Sequence, residues 1–214
     1  MAAGIIPALQ VAVVILAAGR SSRMGKGEDH KLLATFDGVP LVRKSVLNAL
    51  ACQCSRVYVV TGYRHDDVLE AIGDLPVEVV RNEDYASGMA ASLRLGAARA
   101  QKDRPDGIVI TLADMPAITD RHLDMLIDAF RRNGGAHVVR AVANGSPGNP
   151  VILPRLLLDA IQGLEGDVGA RRLIDGHDVP RVEVEIGEAA LMDVDTVEEL
   201  HAAGGVLPIR GYPR

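Results

Sequence analysis

The chain has 214 residues, of which 48% are hydrophobic and 24% charged, a composition typical of a globular protein with one main core. This composition excludes a disulfide-stapled miniprotein and a disordered chain. Aromatic residues make up only 3% and the formal net charge is −5. The first value argues against a protein that binds single-stranded nucleic acid by stacking bases on aromatic rings. The negative charge argues against a protein that binds the phosphate backbone.

The N-terminal apolar run at 8–18 is predicted to be a buried strand rather than a signal peptide or a membrane span. No Lys or Arg precedes Arg20, and about 11 apolar residues are too few to cross a bilayer. Cys52 and Cys54 end a predicted helix, where side chains two positions apart do not face each other. No second cysteine pair or nearby histidine completes a metal site, so we expect structural thiols in a cytoplasmic protein.

Short apolar runs alternate with amphipathic segments of helical length over the first 130 residues. The runs are almost continuously apolar, which is typical of strands buried on both faces of a sheet. Strands separated by helices imply crossover connections. We therefore predict a doubly wound α/β unit with a mostly parallel sheet. The predicted strands are Val11–Leu16, Val57–Val60, Val77–Val80 and Ile108–Leu112, and the predicted helices are Val39–Ala51, His65–Ile72 and Met89–Ala100.

The second half of the chain is less regular, and it contains a segment dense in turn residues, Asn144–Pro150, that we predict to be a loop. No internal repeat or linker interrupts the sequence, so residues 1–214 are expected to form a single domain with halves at about 11–130 and 131–203. The predicted strands here are His137–Val142, Val151–Leu153, Arg181–Ile186 and Leu191–Val194, and the predicted helices are Asp120–Arg132, Pro154–Gln162, Val168–Ile174 and Thr196–Ala203.

The loop after the first predicted strand, Ala17–Gly25, has the character of a phosphate-binding loop. Its small residues let a ligand approach the backbone, whose N–H groups can cradle phosphate oxygens, and Arg23 adds a cation. The spacing of Gly19 and Gly25 does not fit a Walker A loop, and Arg20-Ser21 break the dinucleotide fingerprint Gly-x-Gly-x-x-Gly. No acidic residue ends the second strand, where a dinucleotide-binding protein would hold a ribose.

Carboxylates follow two other predicted strands. Asp114 comes directly after Ile108–Leu112, and because Thr119 is the better cap for the next helix, Asp114 is predicted to be free to hold Mg²⁺. Asp193 and Asp195 lie two apart on a predicted strand, so both could reach the same ion. Asp195 could equally cap the final helix.

Gly88 precedes a predicted helix, which places free backbone N–H groups and the positive end of a helix dipole at the sheet edge. Ser92 lies one turn further along. An anion or a nucleotide base could bind there, although this pattern alone is only a helix start.

Taken together, these segments resemble the MobA-like nucleotidyltransferases, and among them the molybdenum cofactor cytidylyltransferases. Seven blocks occur in the order of the family and span nearly the whole chain. They are Leu16-Ala17-Ala18-Gly19-x-Ser21-x-Arg23-Met24-Gly25 with Lys31, Val60-Thr61-Gly62-Tyr63-Arg64, Asn82 with Tyr85-x-x-Gly88 and Ser92, Asp114-Met115-Pro116, Gly148-x-Pro150, Gly166-Asp167-x-Gly169-Ala170-Arg171, and Asp193-x-Asp195-Thr196.

The resemblance implies a Rossmann-like sheet of the nucleotide-diphospho-sugar transferase type and transfer of CMP from CTP to the phosphate of molybdopterin, with release of pyrophosphate. The implied catalytic residues are Arg23, Lys31 and Asp114, and the implied Mg²⁺ ligands are Asp114, Asp193 and Asp195. The implied nucleotide-binding residues are Leu16, Ala17, Ala18, Gly19, Arg23, Lys31, Thr61, Gly62, Asn82, Gly88 and Ser92. The implied acceptor-binding residues are Met115, Pro116, Gly148, Asn149, Pro150 and Arg171.

Several alternatives stay open at this point. Lys26 competes with Lys31 for contact with the leaving pyrophosphate. The acceptor could be an alditol or sugar phosphate, the protein could be an NADPH-dependent oxidoreductase, or it could deliver the pterin cofactor to a molybdenum hydroxylase, which is also the one transient protein partner expected. The pair Ala17-Ala18 favours CTP, because guanylyl-transferring relatives tend to carry Gly-Gly there. With so few aromatic residues, base recognition is expected to use backbone and small polar groups rather than stacking.

Overall fold

A seven-stranded, mostly parallel β-sheet forms the centre of the protein. The computed structural model describes residues 9–21, 24, 30–167 and 169–208. The strands are β1 (Val11–Ala17), β2 (Thr35–Phe36), β3 (Val39–Pro40), β4 (Arg56–Thr61), β5 (Glu78–Arg81), β6 (Gly107–Leu112), β7 (Val138–Ala143), β8 (Ser146–Pro154) and β9 (Arg181–Glu185). The main sheet has the order β5-β4-β1-β6-β8-β7-β9, and β2 and β3 form a separate hairpin.

Helices cover both faces of this sheet. They are α1 (Leu41–Ala51), α2 (His65–Ile72), α3 (Met89–Gln101), α4 (Asp120–Arg132), α5 (Arg155–Leu158), α6 (Ala170–Asp175) and α7 (Val197–Ala202). Alternate residues of β1 enter two different cores: Val13 packs with α1, α2 and α4, whereas Val14 packs with α3, α5 and α6. Burial on both faces explains why the parallel strands are apolar throughout. The predicted Rossmann-like fold, a mostly parallel sheet in a single domain, is confirmed.

The order of the strands reverses between β1 and β6. From β1 the sheet grows outward through β4 and β5 on one side, and through β6, β8, β7 and β9 on the other. Strands β5, β4, β1 and β6 are all parallel, so their carboxyl ends share one edge. In α/β sheets of this kind, ligands bind beyond that edge at the reversal.

The second half of the chain differs from prediction in three places. The predicted loop Asn144–Pro150 is mostly strand: only Asn144 and Gly145, with φ of 49° and 76°, form a hairpin turn, and β8 begins at Ser146. Pro150 is tolerated in β8 because β6 pairs only with residues from Val151 onward, so no ladder hydrogen bond to β6 is lost. The predicted strand Leu191–Val194 is wrong, since a 3-10 helix at Gly187–Ala190 leads into an irregular segment there.

The predicted helix Pro154–Gln162 divides into α5 and a 3-10 helix at Ala160–Gly163. Two predicted caps resolve clearly. Thr119 accepts a hydrogen bond from the His122 backbone and begins α4 as expected. Thr196, and not Asp195, accepts from the Glu199 backbone and begins α7, so the capping role considered for Asp195 is excluded.

The two cysteines lie closer together than their spacing predicts. Helix α1 ends at Ala51, and Cys52 is extended with φ −78° and ψ 168°, so the helical argument no longer applies. Both thiols donate to the carbonyl oxygen of Ala49, each at 3.2 Å. Neither cysteine forms a disulfide. Among the helices described, none has the length and apolar character needed to cross a bilayer.

Candidate active site

A buried lysine joins three parts of the chain at the carboxyl edge of the sheet. Lys31 projects from a 3-10 helix at Lys31–Leu33, and its Nζ lies 2.6 Å from Asp114 Oδ2 and 2.6 Å from Asp195 Oδ1. Only 9% of the lysine side chain is exposed. Burial acts to lower the pKa of Lys31, but the Asp114 carboxylate and the hydrogen bonds to Asp114 and Asp195 outweigh it and raise that pKa above its usual value. The site therefore holds a permanent cation between two carboxylates.

Asp114 is positioned by the backbone as well as by Lys31. It follows the end of β6, and its carbonyl oxygen accepts a hydrogen bond from the Val194 N–H at 3.0 Å, which ties the two acidic segments together. Its second carboxylate oxygen, Oδ1, is buried and makes no hydrogen bond to any residue that the structure describes. A buried carboxylate oxygen without a partner is costly unless a cation or a donor reaches it.

Asp193 lines the same cleft as Lys31, Asp114 and Asp195. Partial burial and the neighbouring charges of Asp114 and Asp195 raise the pKa of Asp193. Over the described residues, however, no group of three or more acidic, histidine or cysteine side chains is arranged to hold a metal ion. The predicted metal residues share one cleft, but the lysine ammonium lies between two of them.

The predicted nucleotide loop borders this cleft. Leu16, Ala17 and Gly19 line it together with Lys31, and Ala18, Gly88 and Ser92 line an adjoining cavity. The two spaces share Leu16, Gly19 and Asp114. Predicted residues from separate loops therefore meet at the reversal of strand order. Arg23, Lys26 and Gly25 lie outside the described residues, and a contact of Arg23 with phosphate stays a prediction.

Two predicted nucleotide contacts lie behind the cavity wall rather than on it. Thr61 is fully buried, and its hydroxyl lies 2.7 Å from Nδ1 of His65. Asn82 is 1% exposed, and its Nδ2 donates to Ser92 Oγ at 2.9 Å, so it fixes the orientation of a residue that does reach the cavity. These two buried side chains therefore stabilise the wall of the cavity from behind.

Gly62 allows two loops to touch. A Cβ atom at this position would lie 2.6 Å from Cβ of Tyr85 and 2.8 Å from Cβ of Ala18. Real Cβ atoms essentially never approach this closely, so only glycine fits without movement of the nucleotide loop. Tyr85 itself lines the adjoining cavity, which the low aromatic content had led us not to expect.

The start of α3 is covered, contrary to the prediction of free N–H groups at Gly88. The Ala90 N–H donates to the Gly166 carbonyl at 3.0 Å. Gly88 has φ of 112°, and a Cβ there would lie 2.5 Å from the carbonyl of Gly166. The loop around Gly166 therefore packs directly on the helix terminus and caps part of it. Sequence reasoning missed this contact because the two glycines are far apart in the chain.

His30 stacks on Tyr63 beside the nucleotide loop. Their ring centroids are 5.5 Å apart at an interplanar angle of 19°, and Tyr63 in turn lies 6.1 Å from Tyr85. His30 is fully buried. Burial, aided by the charge of Arg64, lowers its pKa from 6.5 to about 4. It is therefore neutral at pH 7.

Another cavity, of about 220 Å³, opens on the acceptor side of the cleft, and we call it the acceptor cavity. Gly148, Asn149 and Arg171 line it, as predicted for acceptor contacts, but Met115, Pro116 and Pro150 do not. Met115 is 3% exposed and packs in the core with α1 and α4, and both prolines are buried. Arg140, which sequence reasoning missed, also lines this cavity. Its signal was a single charge in the otherwise apolar strand β7.

An open α/β sheet with a charged cleft at the reversal of its strand order is typical of nucleotide-binding α/β proteins. Residues 13–182 match the family described as the MobA-like NTP transferase domain, and the chain belongs to this family of nucleotidyltransferases.

Several known proteins are similar to this chain over most of their length. The molybdenum cofactor cytidylyltransferase of Escherichia coli (strain K12) is 32% identical, with 89% of this chain and 93% of that protein covered. The nicotine blue oxidoreductase of Paenarthrobacter nicotinovorans is 29% identical, with 88% and 93% covered. The crystal structure of Rv0371c from Mycobacterium tuberculosis superposes with a TM-score of 0.78 at 26% identity, with 92% and 98% covered. The same protein has also been solved as a complex with manganese, here with a TM-score of 0.76 at 24% identity, with 91% and 97% covered.

Proposed function

We propose that the protein is a Mg²⁺-dependent cytidylyltransferase that moves CMP from CTP to the phosphate of molybdopterin and releases pyrophosphate. The observation that carries this proposal is the buried Lys31, 2.6 Å from both Asp114 and Asp195, beside the small-residue loop at the reversal of strand order. The similarity to the Escherichia coli cytidylyltransferase over most of both chains supports the choice of reaction.

The chemistry needs positioning and charge neutralisation more than proton transfer. An oxygen of the acceptor phosphate forms a bond to the α-phosphorus of CTP, and the bond from that phosphorus to the oxygen bridging it to the β-phosphate breaks. A phosphate monoester is already ionised at pH 7, so no general base is required. Lys31 stabilises the charge that grows on the departing pyrophosphate, and Arg23 is proposed to assist it.

The residues present fit a divalent cation. Asp114 Oδ1 is buried without a hydrogen-bond partner among the described residues, and carboxylate oxygens are the ligands that Mg²⁺ prefers. Asp114 would hold the ion together with Asp193 or Asp195. Mg²⁺ is commonly bound by one or two carboxylates plus substrate phosphates and water, so a cage of three acids is not needed. When bound, the ion acts as a Lewis acid at the phosphate oxygens.

The nucleotide preference is proposed to come from Ala17 and Ala18. Both side chains are nearly fully buried, and Ala18 packs against the backbone of Gly62. Ala17 lines the cleft and Ala18 lines the adjoining cavity, and we propose that this pair favours a pyrimidine over a purine. Tyr85, at the other side of Gly62, offers a ring to the base.

The proposal is tested by measuring pyrophosphate release from CTP, GTP and ATP with Mg²⁺ and molybdopterin. We expect release from CTP and much less from the other two. Asp114→Ala is expected to lower kcat by about 10³-fold, because it removes a metal ligand and a partner of Lys31. Asp120→Ala, an exposed acid in the first turn of α4, is the matched control and should retain wild-type kcat.

Three outcomes would contradict the proposal. Equal use of GTP would remove the base assignment, and release of pyrophosphate with an alditol or sugar phosphate instead of molybdopterin would replace the acceptor. NADPH oxidation without pyrophosphate release would favour the oxidoreductase alternative, which the relative from Paenarthrobacter nicotinovorans represents. Against that alternative, β4 ends at Thr61 and Gly62 follows, with no acidic residue to hold a ribose.

A further inference from the structure

The acceptor cavity has mostly apolar walls, and a buried charged residue lines it. Its walls include Leu93, Ile110, Val151 and Ile174. Its polar lining residues are Asn149, the exposed Arg171 and Arg140, whose side chain is only 13% exposed. Burying a guanidinium in apolar surroundings is costly unless its N–H groups find acceptors.

Arg140 has only part of its donor capacity used by the protein. Its Nη2 lies 3.3 Å from Glu183 Oε1, a long contact with a carboxylate whose side chain is 51% exposed. A guanidinium carries five N–H donors, and one long ion pair to a half-exposed partner leaves several of them directed elsewhere. Since Arg140 lines the cavity, that space is where an additional acceptor can meet them.

The strand register explains why Arg140 faces the cavity. Its neighbours Val139 and Ala141 enter the core with α1 and α4, while Val138 enters the core with α3, α5 and α6. Residues alternate between the faces of a strand, so Arg140 shares the face of Val138. It pairs with Val151 on β8, and Val151 pairs with Ile110 on β6, so three cavity residues form one row across the sheet.

This row lies away from the charged cleft. Ile110 precedes Asp114 by four residues, or roughly 13 Å at 3.3 Å per residue, and β7 is two strand spacings, or roughly 10 Å, from β6. A phosphate at Lys31 is therefore too far away for Arg140 to be its main partner. The cavity and the cleft are nevertheless continuous, since Leu16, Met89 and Leu112 line both.

We propose that Arg140 determines acceptor specificity by donating hydrogen bonds to carbonyl and ring-nitrogen atoms of a planar, largely apolar ring system held in this cavity. The inference rests on the proposed function, in which the phosphate end of the same acceptor faces Lys31. The apolar walls bury the faces of such a ring, and Arg140 and the Asn149 amide form hydrogen bonds to the polar atoms at its edge. A sugar or alditol, with hydroxyl groups on every side, does not suit these walls.

The test uses 6-hydroxymethylpterin, a fluorescent pterin without a phosphate, titrated into the full chain without nucleotide. We expect Arg140→Met to weaken binding by about 10- to 100-fold, because a charge-assisted hydrogen bond in an apolar site is lost. Arg140→Lys should keep part of the affinity. Glu183→Gln removes the ion pair but leaves the guanidinium in place, and it should bind the pterin as tightly as the wild type or more tightly.

CTP affinity, measured by calorimetry with Mg²⁺, should be the same in all four proteins, and melting temperatures should show that each variant folds. The inference is overturned if the wild type does not bind the pterin, if Arg140→Met binds it normally, or if Glu183→Gln loses as much affinity as Arg140→Met, which would mean a structural ion pair. Inorganic phosphate that competes with the pterin only when Arg140 is present would also overturn it. Pterin binding that depends on Arg140, without pyrophosphate release from CTP, would support the inference while the proposed function fails.

Discussion

The charged cleft around Lys31 and the apolar cavity around Arg140 each contain a buried basic residue, but the two residues have different surroundings. In the cleft, Lys31 is neutralised by two carboxylates at 2.6 Å. In the cavity, Arg140 has one ion-pair partner among the described residues, Glu183 at 3.3 Å, and the walls around it are largely apolar. A cation already balanced by carboxylates suits chemistry in which charge moves during the reaction. A cation with unused donors suits recognition of a neutral polar edge.

Glycines allow close packing in both regions. Beside the cleft, loops approach each other through glycines such as Gly62 and Gly88, where added Cβ atoms would overlap neighbouring atoms. Gly148 has the same role at the acceptor cavity, because a Cβ atom there would lie 2.1 Å from the carbonyl oxygen of Ala190. Substitution of these glycines should therefore disturb either region, whereas a change of buried charge should affect the cleft through Lys31 and the cavity through Arg140.

The strongest way to separate the two regions is Lys31→Met. We expect kcat for pyrophosphate release to fall by about 10²- to 10³-fold, because the buried ammonium that we propose stabilises the leaving group is lost. Affinity for 6-hydroxymethylpterin should stay unchanged, because the cavity does not use this residue. Lys102→Met, at the exposed end of α3, is the control and should behave as wild type. A full loss of pterin binding in Lys31→Met would show that cleft and cavity are not independent.

A pH titration tests the buried histidine beside the nucleotide loop. His30 has a pKa of about 4 in the folded state against 6.5 when unfolded. Because the folded state resists protonation, the stability that His30 contributes is complete above pH 6.5 and is lost as the pH falls towards 4, a change of about 3 kcal/mol. Urea unfolding at pH 7 and pH 4 measures it. Between pH 7 and pH 4, the free energy of unfolding of His30→Asn should fall by about 3 kcal/mol less than that of the wild type.

His201→Asn, at an exposed position on α7, is the matched control for this titration. In the wild type, the Leu32 N–H donates a hydrogen bond to His30 Nδ1 at 3.3 Å. The side-chain oxygen of asparagine can accept the same hydrogen bond. Identical pH profiles for His30→Asn and the wild type would contradict a buried neutral histidine.

Gly62→Ala is expected to give the smallest effect, and it tests the close packing of the two loops beside the cleft. The new Cβ would overlap Tyr85 and Ala18, so we expect a loss of about 2 kcal/mol in the free energy of unfolding and a weaker affinity for CTP. Gly163→Ala, whose Cβ meets no atom within 4 Å, is the control and should change stability by less than about 1 kcal/mol. Normal CTP affinity in Gly62→Ala would mean that the loop contact is not needed for nucleotide binding.

The fold could be predicted well where each element is defined by its own residues. Helices α2 and α4 begin and end as predicted, and the apolar runs that form β1, β4 and β6 are strands within a residue or two. Prediction failed at Pro147, Gly148 and Pro150, whose turn-forming character is overridden because β8 extends past the end of β6. It also failed at Leu191–Val194, where a backbone hydrogen bond to Asp114 replaces a strand ladder.

The residues of the candidate site also divide into those that the sequence predicts and those that only the structure shows. Motifs of adjacent residues, such as Leu16 to Gly19, were recognisable because the whole feature lies in one segment. Arg140 was missed because its importance comes from its neighbours on β6 and β8, and Met115 was wrongly predicted as a contact because its burial depends on packing against other elements.

By itself, the sequence determined the alternation of buried strands and helices, the loops that would reach the carboxyl edge and the family to which the chain belongs. These features depend on periodicity and short motifs, which are local. Only the tertiary structure decided that Lys31 lies between Asp114 and Asp195, that the Gly166 loop covers the start of α3 and that Arg140 faces a cavity. Each of these contacts joins residues far apart in the chain, and their distances follow from strand order and register.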